Sequence, residues 1–328
     1  MVFILTSRLV ICNMLLIFFL YSWIEISKYV LLDSHKVHTT MNSFELYGYG
    51  ESVASNMARV ALAEKKVTYK YNVVYLESKG EHLTKEYQSL NPKTFVPTLI
   101  DNGKPIPDSI EIMRHIDSLF PDTGEKLFPS DPSSKIQLEN ILDEIALRED
   151  KELGSTFGTV CGGVSMEVLA NLLCKRPLLK VIWDYATKHP DRGRAPKFIL
   201  VRLLGKPPTA LYKKFVLNLA NHILTIEDFL SHKKDFMLGE TYSAADCCMA
   251  SLLHRINEVR FGSLLESDKL PNLRKYWKII SSRPSYKEGI IDYQTGEWAP
   301  EIEKLYGNGP NTYNDLLWSE INRLLKEK

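Results

Sequence analysis

Cysteine is scarce in this sequence, and the few cysteines present form no chemical pattern. They are five in number, which is odd, and they lack the spacing of metal ligands. Cys247 and Cys248 are neighbours within an apolar helical pattern, so both are expected to be small core residues. This usage fits a reducing compartment, and a cytoplasmic location is predicted for the folded part. The other three are Cys12, Cys161 and Cys174.

An excess of charge of either sign is also missing. The chain of 328 residues has 41 Lys and Arg against 40 Asp and Glu, a net charge of +1. This balance gives no basic stripe and therefore predicts no nucleic-acid partner. An apolar fraction of 45% excludes wholesale disorder. The length allows two domains of ordinary size, each with its own core.

One long hydrophobic run is present, and it lies within the first forty residues. Residues 9–24 are apolar and follow Arg8, but the run is shorter than the roughly 20 residues that a spanning helix needs. Its extension to Leu32 crosses Glu25 and Lys28. Residues 1–40 are therefore interpreted either as a signal anchor, with membrane association through residues 9–32, or as an upstream extension of a protein that starts at Met41.

The pattern between residues 43 and 120 predicts an α/β domain. Alternating and β-branched residues indicate strands, apolar periodicity indicates helices, and Gly and Asn mark the turns. The order is βαβ followed by ββα. The predicted elements are a strand at Leu46 and Tyr47, a helix after Ser52, a strand over 68–75, a helix over 82–90, a strand over 98–100, a turn over 101–104 and a helix over 109–119.

Ser52 falls just before the first apolar helix. A hydroxyl at this position can cap the helix, and it can also stabilise an anion, because the free N–H groups and the helix dipole point the same way. Tyr47, Tyr49 and Ser55 are rival hydroxyl donors for such an anion. The three residues after Ser52 offer no thiol.

Two further segments complete the pattern, Asn91-Pro92-Lys93-Thr94-Phe95-Val96-Pro97-Thr98-Leu99 and Pro107-Asp108-Ser109-Ile110. With the segment that ends at Ser52, they have a spacing that resembles the glutathione-binding half of the glutathione S-transferase superfamily. The resemblance implies an α/β thioredoxin-like N-terminal domain and an all-α C-terminal domain. It also implies glutathione as co-substrate, a hydrophobic electrophile as second substrate, a homodimer, and neither a cofactor nor a metal.

The resemblance also assigns the glutathione contacts. The Val96–Pro97 bond is cis in the family, and the backbone of Val96 pairs with the cysteinyl part of glutathione like an added strand. Asp108 and Ser109 receive the γ-glutamyl group, although the family more often has Glu or Gln in place of Asp108. Lys93 and Thr94 correspond to contacts with the glycyl carboxylate. Without the resemblance, Asp108 and Ser109 are simply good helix caps, and Val96–Pro97 is an ordinary trans bond.

The resemblance assigns catalysis to Ser52. A free thiol titrates near pH 8.5, and lowering this pKa by about two units needs ~2.7 kcal/mol in favour of the thiolate. A hydrogen bond to a charged group contributes roughly 1.5–3 kcal/mol and a helix N-terminus about 0.3–1 kcal/mol, so one serine hydroxyl is sufficient. Family members that use a cysteine place it at or just after this position. Mixed-disulfide chemistry is therefore not predicted.

The second domain is predicted over residues 133–292, with a tail over 293–328. Ser243 and Asp246 form a capping-box pattern before a buried helix, which is also a marker of the family's helical domain. The stretch of about 158–208 is an insertion, longer than the family usually has and similar to the extension of the ganglioside-induced differentiation-associated branch. Leu317, Ile321 and Leu324 predict an amphipathic helix that docks on the protein's own core rather than on a membrane, with a position over the substrate pocket as one option.

These patterns predict a glutathione transferase that conjugates the glutathione thiolate to an electrophilic small molecule, with reduction of organic peroxides as a related activity. The alternative is a non-catalytic protein of the same fold that acts in membrane-associated or protein–protein interaction.

Overall fold

A computed structural model describes residues 44–147, 151–233 and 235–327. The predictions for residues 1–40, including the apolar run and membrane association through residues 9–32, lie outside this range. The first part of the described chain contains a small sheet and three helices. These elements are the strands β1 (Phe44–Gly48), β2 (Lys70–Val73), β3 (Thr98–Asp101) and β4 (Lys104–Pro107) and the helices α1 (Val53–Glu64), α2 (Lys85–Leu90) and α3 (Ser109–Leu119).

The sheet has the strand order β2-β1-β3-β4. Strand β1 is parallel to β2, with Leu46 opposite Tyr71, and antiparallel to β3, with Leu46 opposite Leu99. Strand β4 returns antiparallel to β3 after the turn at Asn102 and Gly103, as the sequence predicts. Parallel strands need a crossover, and α1 provides it between β1 and β2. The βαβ–ββα order, and with it the thioredoxin-like fold, is confirmed.

The predicted helix over 82–90 differs from the structure in its first turn. A short 3₁₀ helix spans Glu81–Leu83, and α2 starts only after Thr84, whose hydroxyl oxygen accepts a hydrogen bond from the N–H of Tyr87 at 3.3 Å. A threonine at this position favours a helix cap over a helix interior. The strand predicted over 68–75 is also shorter, because only Lys70–Val73 pair with β1.

The rest of the described chain is helical and begins after an irregular connection over residues 120–131. The insertion predicted at about 158–208 contains four helices, separated near Pro177 and Pro190. The helices are α4 (Pro132–Glu144), α5 (Phe157–Val164), α6 (Met166–Cys174), α7 (Leu178–Thr187), α8 (Ala195–Leu204), α9 (Thr209–Ser231), α10 (Ala244–Ile256), α11 (Ser263–Glu266), α12 (Pro271–Ser281), α13 (Pro284–Gly289), α14 (Trp298–Tyr306) and α15 (Asn314–Glu327), with a π-helical turn over Asn257–Phe261 and a 3₁₀ turn over Ile291–Tyr293.

Helix α10 lies at the centre of the helical part, and all of its residues are buried. Its capping box is confirmed: Asp246 accepts hydrogen bonds from the N–H of Ser243 at 2.8 Å and from the Tyr276 hydroxyl at 2.8 Å. Cys247 and Cys248 are buried core residues, as predicted. The whole fold class, a thioredoxin-like domain followed by an all-α domain, agrees with the sequence prediction.

The C-terminal helix α15 is amphipathic and docks on the protein's own core. Leu317 and Ile321 are fully buried in the main hydrophobic cluster. The helix packs against α9 rather than over the candidate site described below.

Among the described residues, no single helix has the length and apolar character to cross a membrane. Helices α5 and α6, bent by 46° relative to each other, meet that criterion only as a pair.

Candidate active site

One cavity of about 810 Å³ brings together every residue that the sequence analysis assigns to a site. It lies between the first, sheet-containing part and the helices of the insertion. Residues far apart in the chain form its wall, so the cavity depends on the packing of both parts. The predicted residues in its lining are Ser52, Lys93, Thr94, Val96, Pro97, Asp108 and Ser109.

Ser52 is half-buried at the cavity wall and caps α1. Its Oγ accepts a hydrogen bond from the N–H of Ser55 at 3.3 Å, so the predicted role of this serine as a helix cap is confirmed. A serine hydroxyl that accepts this bond still has its own proton to donate. That proton and the N-terminus of α1 are the groups that can stabilise an anion here.

The rival hydroxyl donors do not reach the cavity. Ser55 is fully buried, and its Oγ accepts a hydrogen bond from the N–H of Tyr49 at 3.3 Å. The hydroxyl of Tyr49 donates to Oε2 of Glu297 at 2.9 Å, and burial raises its pKa far above the usual value. Tyr47 packs against the core and does not line the cavity. Ser52 therefore has the position that an activating hydroxyl needs.

A buried arginine, Arg59, fixes the loop that carries Ser52. Its guanidinium donates hydrogen bonds to the carbonyl of Gly50 at 2.7 Å and to that of Tyr49 at 3.2 Å. It also donates to the carbonyl of Gly289 at 2.8 Å and lies 4.8 Å from the ring centroid of Tyr293. The charged group thus links the loop, α1 and the C-terminal part of the chain.

A second buried arginine, Arg255, contacts the same loop from α10. It donates to the carbonyl of Glu51 and, at 3.0 Å, to Oγ of Ser165, and its Nε lies 2.9 Å from Oε2 of Glu258. Burial raises the pKa of Glu258 to about 7, and the charge of Arg255 opposes this rise. Arg255 also lines the cavity, so the residue that precedes Ser52 is held by a cation at the cavity wall.

The segment before β3 is held by two side chains. The Tyr87 hydroxyl donates to the carbonyl of Phe95 at 2.6 Å, and Nδ2 of Asn91 donates to the same carbonyl at 2.7 Å. The Val96–Pro97 bond is cis. Within the described ranges, the backbone N–H and C=O of Val96 have no hydrogen-bond partner, although Val96 is buried at the cavity wall.

Thr94 is a buried polar residue beside Val96. Its backbone has φ 63°, which is uncommon for a β-branched residue, and its N–H donates to the carbonyl of Asn91 at 2.9 Å. Its buried Oγ1 has no partner among the residues described. A buried hydroxyl without a partner is costly, so this atom is ready for a ligand oxygen. Its neighbour Lys93 is exposed at the edge of the cavity.

Asp108 and Ser109 start α3. Asp108 is exposed with φ 77°, and its Oδ1 accepts a hydrogen bond from the N–H of Ile110 at 2.8 Å. The cap interpretation therefore holds for Asp108. Ser109 is buried, and its hydroxyl makes a long contact of 3.8 Å with Sδ of Met57.

The insertion provides the opposite wall of the cavity, and this wall was not predicted from the sequence. The ring of Tyr185 on α7 is stacked at 5.5 Å on that of His189, which follows the end of α7, and the ring of Phe198 on α8 lies 4.9 Å from that of Tyr185. Arg194 lies 5.2 Å from the ring of Phe95. Tyr185 and Phe198 belong to two different helices, and no local pattern in the sequence indicates that their side chains meet at this cavity.

Two titratable residues on the cavity wall were missed as well. Burial raises the pKa of Glu77 to about 7. Burial, with the charges of His189 and Arg176, lowers the pKa of His82 to about 3, so His82 is neutral at pH 7. Nowhere in the described part of the chain do three His, Cys, Asp or Glu side chains come together in a way that could hold a metal ion.

Family models match both halves of the fold. The model described as glutathione S-transferase, N-terminal domain, matches residues 52–119, and that described as glutathione S-transferase, C-terminal domain, matches residues 206–284.

Individual proteins are similar over most of their length. The chain is 37% identical over 256 residues to a maleylacetoacetate isomerase of Dictyostelium discoideum, a match that covers 78% of this chain and 96% of that protein. It is 24% identical over 263 residues to glutathione S-transferase TCHQD of Arabidopsis thaliana, covering 77% and 91%. Among solved structures, the beta-etherase LigF from Sphingobium sp. strain SYK-6 has a TM-score of 0.64 at 21% identity, covering 75% of this chain and 98% of that one.

Proposed function

The chain belongs to the glutathione S-transferase superfamily, and we propose that it is an enzyme in which Ser52 holds glutathione as a thiolate for attack on an electrophilic small molecule. The family uses glutathione as co-substrate. The observation that carries the proposal is the single cavity lined by all seven predicted residues. One wall of this cavity carries three polar groups that a ligand can satisfy together: the unbonded Val96 backbone, the unbonded Thr94 hydroxyl and the Ser52 hydroxyl.

Glutathione fits this wall group by group. The free N–H and C=O of Val96 pair with the cysteinyl residue, which directs its sulfur toward Ser52. The Thr94 hydroxyl and the Lys93 ammonium receive the glycyl carboxylate. The γ-glutamyl carboxylate lies at the N-terminus of α3 with Ser109, and Asp108 pairs with the γ-glutamyl amine through the oxygen that does not cap the helix.

Ser52 acts by stabilising the thiolate. Its hydroxyl donates a hydrogen bond to the sulfur anion, and the N-terminus of α1 adds the favourable dipole. The thiol proton leaves to solvent, the sulfur forms a bond to the electrophilic carbon, and the leaving group departs with its electron pair. The hydrogen bond serves the same purpose when the thiolate attacks a peroxide oxygen.

Isomerisation is a second candidate, favoured by the 37% identity to a protein named maleylacetoacetate isomerase. A thiolate that adds to a conjugated double bond turns it into a single bond, which can rotate before the thiolate leaves again. Glutathione is then unchanged, and the same site residues serve both reactions.

The electrophile is proposed to lie against the insertion wall of Tyr185, His189 and Phe198, where aromatic rings face the glutathione side of the cavity. The homodimer, the cytoplasmic location and the domain limits at residues 120, 133 and 292 remain predictions from the sequence.

The test compares wild-type protein with Ser52→Ala for retention on immobilised glutathione and for conjugation of chlorodinitrobenzene. The variant is expected to lose about 10- to 150-fold in kcat at neutral pH, equivalent to roughly 1.5–3 kcal/mol for a hydrogen bond to a charged group. Ser89→Ala is the matched control, because Ser89 is exposed and, within the described ranges, its hydroxyl donates to no group but the carbonyl of Glu86.

Failure of the wild-type protein to bind glutathione would contradict the proposal and support the non-catalytic alternative. Equal turnover by wild type and Ser52→Ala would remove Ser52 from the mechanism.

A further inference from the structure

Helices α7 and α8 of the insertion expose large apolar side chains. Leu179, Trp183, Leu200, Leu203 and Leu204 each expose between 46% and 80% of their surface. Scattered single exposures are normal in proteins, but five large apolar residues on two neighbouring helices form a patch that usually marks an interaction surface.

The five side chains point away from the protein on both helices. On α7, Leu179 and Trp183 are four residues apart and share one face, whereas Val181 and Tyr185 on the opposite face are buried. On α8, Leu200 and Leu204 are also four residues apart and share one face, whereas Ala195 and Phe198 lie on the opposite side and pack into the protein.

One core cluster holds both helices side by side. Val181 and Tyr185 of α7 and Ala195 and Val201 of α8 pack into the same group of buried residues. Because both helices bury their inner faces in one cluster and contact each other, their outer faces form one continuous surface. This surface, made of Leu179, Trp183, Leu200, Leu203 and Leu204, is called the outer face below.

The outer face lies in a basic part of the described chain. Residues 175–206 contain nine Lys and Arg but only two acidic residues, Asp184 and Asp191. Asp184 is buried and pairs with Arg176, with Lys188 at 2.6 Å and with Lys180 at 3.5 Å, and Asp191 pairs with Arg194 at 3.1 Å. Lys180, Lys188, Arg192, Lys197 and Lys206 are exposed around the apolar residues. The neutral balance of the whole chain conceals this local excess of positive charge.

We infer that the outer face docks on an anionic lipid bilayer. A tryptophan and several leucines surrounded by lysine and arginine are the composition of helices that lie in the membrane interface, with the apolar side buried among acyl chains and the cations at the lipid phosphates. The two helices lie on the surface and do not span it.

The charge disfavours the other occupants. A symmetric dimer through the outer face brings the same basic surface against itself, which like charges oppose. A nucleic acid satisfies the cations but leaves the five apolar side chains in water. The inner face of the same two helices lines the candidate active site, so docking brings that cavity close to the bilayer.

The test uses the chain from Met41, because residues 44–328 form a compact unit of their own and the apolar run of residues 9–24 is then absent. Cosedimentation is measured with vesicles of phosphatidylcholine alone and with vesicles containing about 30% phosphatidylserine. Binding is expected only to the second kind and is expected to weaken when salt is raised from about 0.1 M to about 0.5 M.

The double variant Leu179→Ser/Trp183→Ser is expected to bind these vesicles at least about tenfold more weakly. Ile136→Ser, which replaces an exposed apolar residue on α4, is the matched control and is expected to bind as wild type does. Both variants should unfold at the wild-type temperature, since the replaced side chains are exposed.

Three results would overturn the inference. The first is no binding to phosphatidylserine vesicles. The second is equal vesicle binding by the double variant and wild type. The apolar side chains would then contribute nothing, and the binding would be an unspecific attraction between charges, as expected also for RNA. The third is a wild-type dimer in analytical ultracentrifugation that the double variant abolishes, because a second copy would then cover the outer face.

Discussion

Two buried arginines hold in place the loop that carries Ser52. Arg59 lies seven positions after Ser52, but Arg255 lies on α10, and both donate hydrogen bonds to carbonyl groups between Tyr49 and Glu51. Among the described residues, neither guanidinium donates a hydrogen bond to Ser52. Both are therefore positioning residues, and their loss is expected to displace the Ser52 hydroxyl rather than remove it.

Arg255→Met is predicted to destabilise the protein by ~3–5 kcal/mol, because the buried Glu258 then loses its cation. In the Arg255→Met variant, the further substitution Glu258→Gln is expected to recover part of the lost free energy of unfolding. Chemical denaturation measures both changes. The control is Arg274→Met, whose partner Asp268 is exposed, and it is expected to cost no more than about 1 kcal/mol. Equal losses for Arg255→Met and Arg274→Met would contradict this account.

Glu77 is predicted to make stability depend on pH. Burial raises its pKa to about 7 in the folded protein, compared with about 4.3 in an unfolded chain. The folded state therefore holds the proton more tightly, and the free energy of unfolding falls as the pH rises from about 4.3 to about 7. In Glu77→Gln, the free energy of unfolding is expected to fall less over this pH range. Chemical denaturation at several pH values measures the difference.

The control for this measurement is Glu86→Gln, which replaces an exposed glutamate on α2. Its pH dependence should follow wild type. A Glu77→Gln protein with the same pH dependence as wild type would contradict the assignment.

The sequence could predict the site residues that lie on one wall and could not predict those on the other. Ser52, Val96 and Ser109 stand at element ends, where local patterns of caps and prolines are visible in the linear chain. In the sequence, Arg255 is an ordinary helix residue. Its role depends on a hydrogen bond to the carbonyl of Glu51, which lies 204 positions earlier in the chain. Tyr185 and Phe198 belong to the insertion, whose packing no local pattern specifies.

At the scale of elements, the contact between α1 and α13 joins the two parts of the molecule. Gly289 at the end of α13 lies so close to α1 that a Cβ atom there would come within 2.6 Å of the Val60 nitrogen. Its carbonyl also accepts the hydrogen bond from Arg59. The helix that carries Ser52 at its N-terminus is thus fixed by a contact that only glycine permits.

Gly289→Ala is predicted to destabilise the protein by ~1–3 kcal/mol, because the added methyl group pushes α1 and α13 apart. Gly309→Ala is the control, since the nearest atom to its added Cβ is at 3.4 Å. Thermal unfolding compares the two variants. The account is wrong here if Gly289→Ala and Gly309→Ala unfold at the same temperature.

Elements with strong local signals were predicted well. Strand β3, helix α3 and the capping box of α10 follow from β-branched residues, apolar periodicity and capping side chains. The prediction for the first turn after Gly80 was wrong, because residues 81–84 contain a 3₁₀ helix and a second helix cap. Docking of α15 on the core was predicted, whereas a position over the substrate site was not confirmed.

At the scale of the whole molecule, the insertion has two faces with different roles. Its inner face completes the cavity with aromatic side chains, and its outer face is apolar and basic. Composition averaged over the chain conceals both features, since the net charge is +1 and the apolar fraction is ordinary. The placement of these residues on opposite sides of α7 and α8 becomes visible only when the helices are packed.

The central claim is that Ser52 holds glutathione as a thiolate. The most direct test is the pKa of the glutathione thiol bound to the protein, followed by the ultraviolet absorbance of the thiolate during a pH titration. Wild type is predicted to lower this pKa by about two units from the free value near 8.5, and Ser52→Ala to raise it again by about one to two units. The same thiol pKa in both proteins, or a bound thiol that titrates like free glutathione, would contradict the account.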